Sequence, residues 1–144
     1  MKLSLLFITL GLFAASQDPW NEREIVQPKI LADQIIAKSQ PAIFYVGFPT
    51  LYRNGSHIAS ATLAGPCSKP EGLDALKKTV AELPRGKEIF IYCGCCPFVK
   101  CPNIRPAYSA LHDMGFSSVK VVMLETNLHT DWIEKGYPSE KATQ

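Results

Sequence analysis

The chain has 144 residues, with 15 basic and 13 acidic side chains and a formal net charge of +2. Its Lys and Arg residues are scattered, so no basic stripe suggests a nucleic-acid partner, and no face typical of membrane-surface binding is apparent. The length suits a single domain with a sizeable core.

The amino-terminal residues 1–16 have the order of a secretory signal peptide. Lys2 gives a positive start, an apolar run follows over 3–13, and small residues precede an expected cut after Ser16. The run is too short for an ordinary membrane span, and the alternative is an anchor that stays uncut. We therefore expect an exported protein, periplasmic or secreted, with no membrane association beyond export.

The first half of the remaining chain has a mixed pattern of strands and helices. A proline is well suited to the first turn of a helix, as at Pro28, and a continuous apolar run such as 42–46 is typical of a buried strand. In chain order the pattern predicts an extended polar segment over 17–23, a strand near 24–26, a helix over 28–38, a buried strand over 42–46, a turn at 54–55 and a brief strand over 60–63.

The second half has stronger signals. Apolar residues at helical spacing predict two long helices, and Gly115 is a suitable carboxyl-terminal cap for the second of them. The predicted elements are a helix over 73–83, a strand over 88–92, a helix over 104–114, a strand over 119–124, a short helix over 130–135 and a polar tail over 139–144. Alternating strands and helices indicate an α/β domain over 24–138 with a parallel sheet.

The cysteines are clustered rather than spread along the chain. Cys67 stands alone, whereas four more fall within nine residues, at Cys93, Cys95, Cys96 and Cys101. Cys93 directly follows a predicted strand, and ligands of parallel sheets bind beyond the carboxyl ends of the strands. Loop N–H groups and a following helix amino terminus favour a thiolate there. The cluster therefore indicates a functional site.

Asn103 and Arg105, which follow the cluster, extend this prediction. Asn103 is a candidate amino-terminal cap for the next helix. Arg105 would stand at the mouth of the loop, where its guanidinium suits an anionic sulfur oxyacid or a phosphate.

Several segments within about 24–138 resemble motifs of the rhodanese-like sulfurtransferase family, and they follow one another in the same order as in that family. They are Gly55-Ser-His-Ile58 followed by Ala61, the strand Ile89 to Cys93, the helix Asn103 to Phe116 with its L-x-x-x-G-F ending, and Val119 to Leu124 followed by Asp131-Trp132 and Gly136-Tyr-Pro138. The resemblance implies a central parallel five-stranded sheet flanked by helices on both faces.

The resemblance also implies a reaction and its residues. Cys93 would be the catalytic nucleophile that carries sulfur as a persulfide, and Arg105 would bind the anion. A small sulfur-containing anion such as thiosulfate would be the donor. The acceptor would be a thiol, a cyanide-like molecule or one partner protein. No cofactor is implied, and the substrate loop would include Gly94, Cys95, Cys96, Cys101 and Asn103.

Three departures from the family pattern concern the same region. Eleven residues separate Cys93 from Arg105, far more than in the family or its phosphatase relatives. Tyr45-Val-Gly47 replaces the usual acidic D-V-R segment, and Thr126-Asn127 stand where a Gly-Gly pair is usual. The loop therefore cannot be the same tight cradle throughout.

The extra cysteines leave three interpretations open. A disulfide from Cys101 to Cys95 or Cys96 would stiffen the loop, or one of these thiols would resolve an oxidised Cys93. Alternatively, C-x-C-C-x4-C binds a soft metal, although its spacing matches no standard four-ligand site and we assign none. The functional alternatives are accordingly a persulfide or soft-metal carrier, or a cysteine phosphatase or arsenate reductase. The long loop disfavours the phosphatase and the arsenate reductase.

We predict a structural role for His57.

Overall fold

The computed structural model describes residues 18–142. The predicted signal peptide, with its cut after Ser16, lies outside the described residues. Over 18–142 none of the helices has the length and apolar character needed to cross a membrane.

The described chain alternates short strands with helices. In chain order the elements are β1 (Ile25–Val26), α1 (Pro28–Ile36), β2 (Ala42–Tyr45), α2 (Pro49–Asn54), β3 (Ser56–Ile58), β4 (Thr62–Leu63), α3 (Pro70–Val80), β5 (Ile89–Tyr92), α4 (Ile104–Asp113), β6 (Val119–Val122), a π-helical turn (His129–Ile133) and β7 (Ser139–Lys141). Two 3₁₀ turns lie at Glu22–Glu24 and Phe98–Lys100. Helices α1, α2 and α3 each begin with proline, whose fixed φ suits a first helical turn.

Five strands form the central sheet, in the order β1-β6-β5-β2-β4, and every neighbouring pair is parallel. Strand β5 lies in the middle and is buried along its whole length. Its side chains alternate between two cores because successive strand residues point to opposite faces. Ile91 packs in the core with α3 and α4, whereas Phe90 packs in the core with α1 and Trp132. The predicted five-stranded parallel sheet with helices on both faces is confirmed.

Two parts of the chain differ from the predicted elements. Residues 49–54, where the sequence predicts only a turn at 54–55, form the short helix α2. Ser139–Lys141, within the predicted polar tail, form β7, which pairs antiparallel with β3 and sets Glu140 opposite His57. All three β7 residues are exposed, so the strand has no apolar alternation that would reveal it in the sequence.

Candidate active site

Cys93 directly follows the central strand β5, and its side chain is only 1 % exposed. Gly47, just beyond β2, leaves space beside it. A Cβ at Gly47 would lie 2.8 Å from the Cys93 sulfur and 2.7 Å from the Tyr45 hydroxyl oxygen. The Tyr45 hydroxyl and the Cys93 sulfur are therefore neighbours, and the glycine keeps the gap between them open.

A cavity of about 490 Å³ opens in front of Cys93. Cys93, Gly94 and Cys95 form its floor, the chain from Asn127 to Ile133 forms one wall, and aromatic side chains from β2 and α2 form another. Of the described residues, no lysine, arginine, aspartate or glutamate lines it. An anion in this cavity would therefore be held by hydrogen bonds rather than by a fixed positive charge.

The four clustered cysteines lie at graded depths. Cys93 and Cys101 are buried, Cys95 and Cys96 are half-buried, and all four carry free thiols. The Cys95 sulfur lies 3.2 Å from that of Cys93 and 3.1 Å from that of Cys96. The sulfurs of Cys93, Cys95 and Cys101 all lie within 4.8 Å of one another. These three thiols are the residues that could hold a soft metal ion, since thiolates select such ions.

The negative charge of the cluster is best stabilised on Cys101. A hydrogen bond from the Cys93 thiol, together with the backbone N–H groups of Asn103 and Ile104, lowers the pKa of Cys101 to about 6. The same hydrogen bond and burial raise the pKa of Cys93 well above the ordinary thiol value. Of the two groups, Cys101 therefore has the lower pKa and Cys93 the higher one.

Asn103 stands at the amino-terminal cap position of α4, but its side chain does not cap the helix. It is fully buried and joins two distant segments. Its Oδ1 accepts a hydrogen bond from the backbone N–H of Ser68 at 2.9 Å, and its Nδ2 donates to the Cys93 sulfur at 3.6 Å. The predicted capping bond is therefore replaced by contacts with Ser68 and with the Cys93 sulfur.

Arg105 is not among the residues that line the cavity. Its Nε donates to Asp18 Oδ1 at 2.8 Å, and its guanidinium lies 5.3 Å from the centre of the Trp20 ring. The structure thus brings Arg105 to the amino-terminal segment rather than to the cavity in front of Cys93. Its anion-binding role stays a prediction.

The long loop is folded onto the rest of the domain. The side chain of Phe98 is buried and packs on Trp20, with 5.5 Å between ring centres. The backbone N–H of Phe98 donates to the carbonyl of Leu124 at 3.0 Å. Trp20 itself is 7 % exposed, although the sequence predicts an extended polar segment there. The loop is therefore held at Phe98 by both its side chain and its backbone.

Gly94 fits its position for two reasons. Its φ of +78° lies in the left-handed region, and an added Cβ would come within 2.7 Å of Leu128 Cβ. The carbonyl of Gly94 also accepts a hydrogen bond from the N–H of Leu128 at 3.0 Å. The cysteine loop is thereby joined to the wall of the cavity.

His57, predicted to be structural, also lines the cavity. It is 4 % exposed and stacks on Tyr52 with 3.9 Å between ring centres. Its Nδ1 has no hydrogen-bond partner, and burial lowers its pKa.

The fifth cysteine, Cys67, is buried away from the cavity, and its thiol donates to the carbonyl of Ala64. Burial raises the pKa of Cys67 to about 12, so this thiol stays protonated.

Comparisons with known proteins identify the fold. No family model matches the sequence, and no curated protein matches it. Among solved structures, a rhodanese-like domain from Anabaena sp. is 18 % identical with a TM-score of 0.60, covering 83 % of this chain and 80 % of that one. A rhodanese-like domain protein from Staphylococcus aureus is 16 % identical with a TM-score of 0.53, covering 83 % and 99 %. The polysulfide-sulfur transferase from Wolinella succinogenes is 16 % identical with a TM-score of 0.54, covering 83 % and 80 %.

Proposed function

Because the chain has the rhodanese-like fold, we propose that it is an exported sulfurtransferase that carries sulfane sulfur as a persulfide on Cys93. One observation carries the proposal: the Cys93 sulfur stands at the end of the central strand and faces a cavity large enough for a small donor. Ligands of parallel α/β sheets bind at this edge. The Wolinella structure of the same fold is a sulfur transferase, which supports the class of reaction.

The reaction begins when Cys93 loses its proton. The Cys93 sulfur then attacks the outer sulfur of a donor such as thiosulfate. A new S–S bond forms on Cys93, the old bond to the outer sulfur breaks, and sulfite leaves with the electron pair. In the second half, a thiol or cyanide-like acceptor attacks the outer sulfur, and Cys93 returns as a thiolate. A partner protein with an exposed thiol is one such acceptor.

The direct test is thiosulfate:cyanide sulfurtransferase activity, with Cys93→Ser and Cys67→Ser compared. Cys67→Ser is the matched control because that cysteine lies outside the cavity. We expect the Cys93 variant to lose turnover and the Cys67 variant to keep it. Peptide mass spectrometry soon after thiosulfate is added should show one added sulfur atom on Cys93, before that sulfur reacts further. Full turnover by Cys93→Ser would remove Cys93 from the reaction.

A second candidate function follows from the three sulfurs that lie within 4.8 Å of one another. Three close thiols suit a soft ion such as copper(I), so the domain would carry metal for a partner. Anaerobic titration with copper(I) against a chelating indicator tests it. Tight uptake of one ion by the native chain, lost in Cys95→Ser, is the expected result for a carrier. Lack of uptake would exclude this candidate.

A further inference from the structure

Cys93 stands between the cavity and a second buried thiol. Cys93 and Cys95 line the cavity, whereas Cys101 does not. Cys101 is 1 % exposed, and its sulfur lies within 4.8 Å of the Cys93 sulfur. The cavity gives the outer sulfur of a persulfide on Cys93 room to extend. Cys101, which is buried and does not line the cavity, is therefore close to the inner sulfur from within the protein.

This arrangement suits displacement at sulfur. Thiol–disulfide exchange proceeds by attack of a thiolate on one sulfur while the bond on the other side of that sulfur breaks. Cys101 lies three residues before the ten-residue helix α4, whose amino terminus carries partial positive charge. Because Cys101 has no access to the cavity, it cannot reach a donor there. The Cys93 sulfur, by contrast, is within 4.8 Å of the Cys101 sulfur.

We propose that Cys101 resolves the Cys93 persulfide, so that the protein also reduces sulfane sulfur and releases it as hydrosulfide. The proposal rests on the sulfurtransferase function above. The Cys101 thiolate attacks the inner sulfur of Cys93, a Cys93–Cys101 disulfide forms, and the bond to the outer sulfur breaks. The outer sulfur takes the electron pair and leaves as hydrosulfide with one proton. The sulfane sulfur is reduced, two thiols are oxidised, and an external dithiol restores both thiols by exchange.

Cys95 is the rival for this role. Its sulfur is also close to that of Cys93, at 3.2 Å, but it lies on the cavity side, beside the space for the outer sulfur. From there it meets the outer sulfur first, and attack on that atom moves the persulfide to Cys95 without releasing hydrosulfide. The two cysteines therefore predict different products from the same loaded protein.

The experiment treats the reduced full-length chain with an equimolar amount of thiosulfate under anaerobic conditions. Thiosulfate leaves as sulfite, so any hydrosulfide comes from the loaded protein. Hydrosulfide is measured with a sulfide electrode, and cysteine states are measured by peptide mass spectrometry. The variants are Cys101→Ser, Cys101→Ala and Cys95→Ser, and persulfide on Cys93 in each variant shows that it is folded and loaded.

We expect the native chain to release hydrosulfide and to accumulate a Cys93–Cys101 disulfide. Both Cys101 variants should retain the persulfide and release about tenfold less hydrosulfide, whereas Cys95→Ser should still release it. Native-like release by the Cys101 variants, or a disulfide from Cys93 to Cys95, would overturn the role of Cys101. A native chain that loads and keeps its persulfide also overturns it, while leaving the transferase intact. Failure of every chain to load would instead refute the sulfurtransferase.

Discussion

Replacing Gly94 by alanine tests how tightly the residue after Cys93 is constrained. Two costs combine at this position. A left-handed φ costs an L-residue about 1–2 kcal/mol, and the added methyl group would approach Leu128 Cβ to 2.7 Å, an overpacking that costs about 1–3 kcal/mol. The alanine also lowers the entropy of the unfolded chain, which offsets about 0.4–1 kcal/mol of these costs. We therefore expect Gly94→Ala to lower the free energy of unfolding by about 2–4 kcal/mol, a large part of the stability of a small domain.

Two other glycines separate the two costs. Gly115, after α4, has a φ of +88° but open space around its Cα, so its alanine variant bears only the backbone cost, about 1 kcal/mol net of the entropy lost by the unfolded chain. Gly86 has open space and no positive φ, so Gly86→Ala should raise stability by about 0.4–1 kcal/mol.

Urea denaturation followed by tryptophan fluorescence measures all three variants. Both tryptophans, Trp20 and Trp132, are buried, so unfolding exposes each of them to water. A reductant keeps the thiols free during the titration. If Gly94→Ala loses no more stability than Gly115→Ala, the contact with Leu128 has no energetic effect and the prediction is wrong.

Three further predictions concern charge. Burial lowers the pKa of His57 below 6.5, so the unfolded chain binds more protons in that window and stability should fall between about pH 7 and pH 5.5. Urea midpoints should show this fall in the native chain and a smaller one in His57→Phe, which keeps a ring on Tyr52; an equal fall would contradict the assignment. The pKa of about 6 for Cys101 means that one thiolate forms as pH rises through that value. Thiolate ultraviolet absorbance should show that step in the native chain, and an unchanged step in Cys101→Ser would argue against it. Asp18→Asn removes the ion pair with Arg105, in which both side chains are about one-third exposed, so urea unfolding should change by no more than about 1 kcal/mol. A greater loss would show that the pair fastens the amino-terminal segment.

The centre of the sheet and the position of Cys93 could be predicted because their signals are local. The apolar run of β5 and the helical spacing of α4 are each contained in one short stretch of sequence. Helix α2 has six residues, and none of them is buried, so it has no apolar stripe. Strand β7 forms by pairing with β3, which lies some eighty positions earlier in the chain. Three polar residues carry no sequence signal of such a distant partner.

The details of the site depend on contacts between distant segments. Asn103 bonds Ser68 from 35 positions away, and Arg105 bonds Asp18 from 87 positions away. The helix cap predicted for Asn103 was reasonable for the residue type, but a long-range partner occupies that side chain instead. Arg105 pairs with Asp18 in the structure, and its anion-binding role stays a prediction. The lowered pKa of Cys101 likewise depends on how the fold of the loop brings its sulfur close to that of Cys93. The spacing of the cysteines in the sequence does not determine that distance.

The packing of Trp20 on Phe98 and Tyr108 has a practical consequence for handling the protein. Trp20, two residues after Asp18, packs on Phe98 of the cysteine loop and covers part of that loop, although the two residues are far apart in sequence. Trimming the chain past Trp20, or fusing a bulky tag directly before it, would strip or displace that cover and expose two aromatic rings. A change at the amino terminus would therefore loosen the loop that positions the thiols.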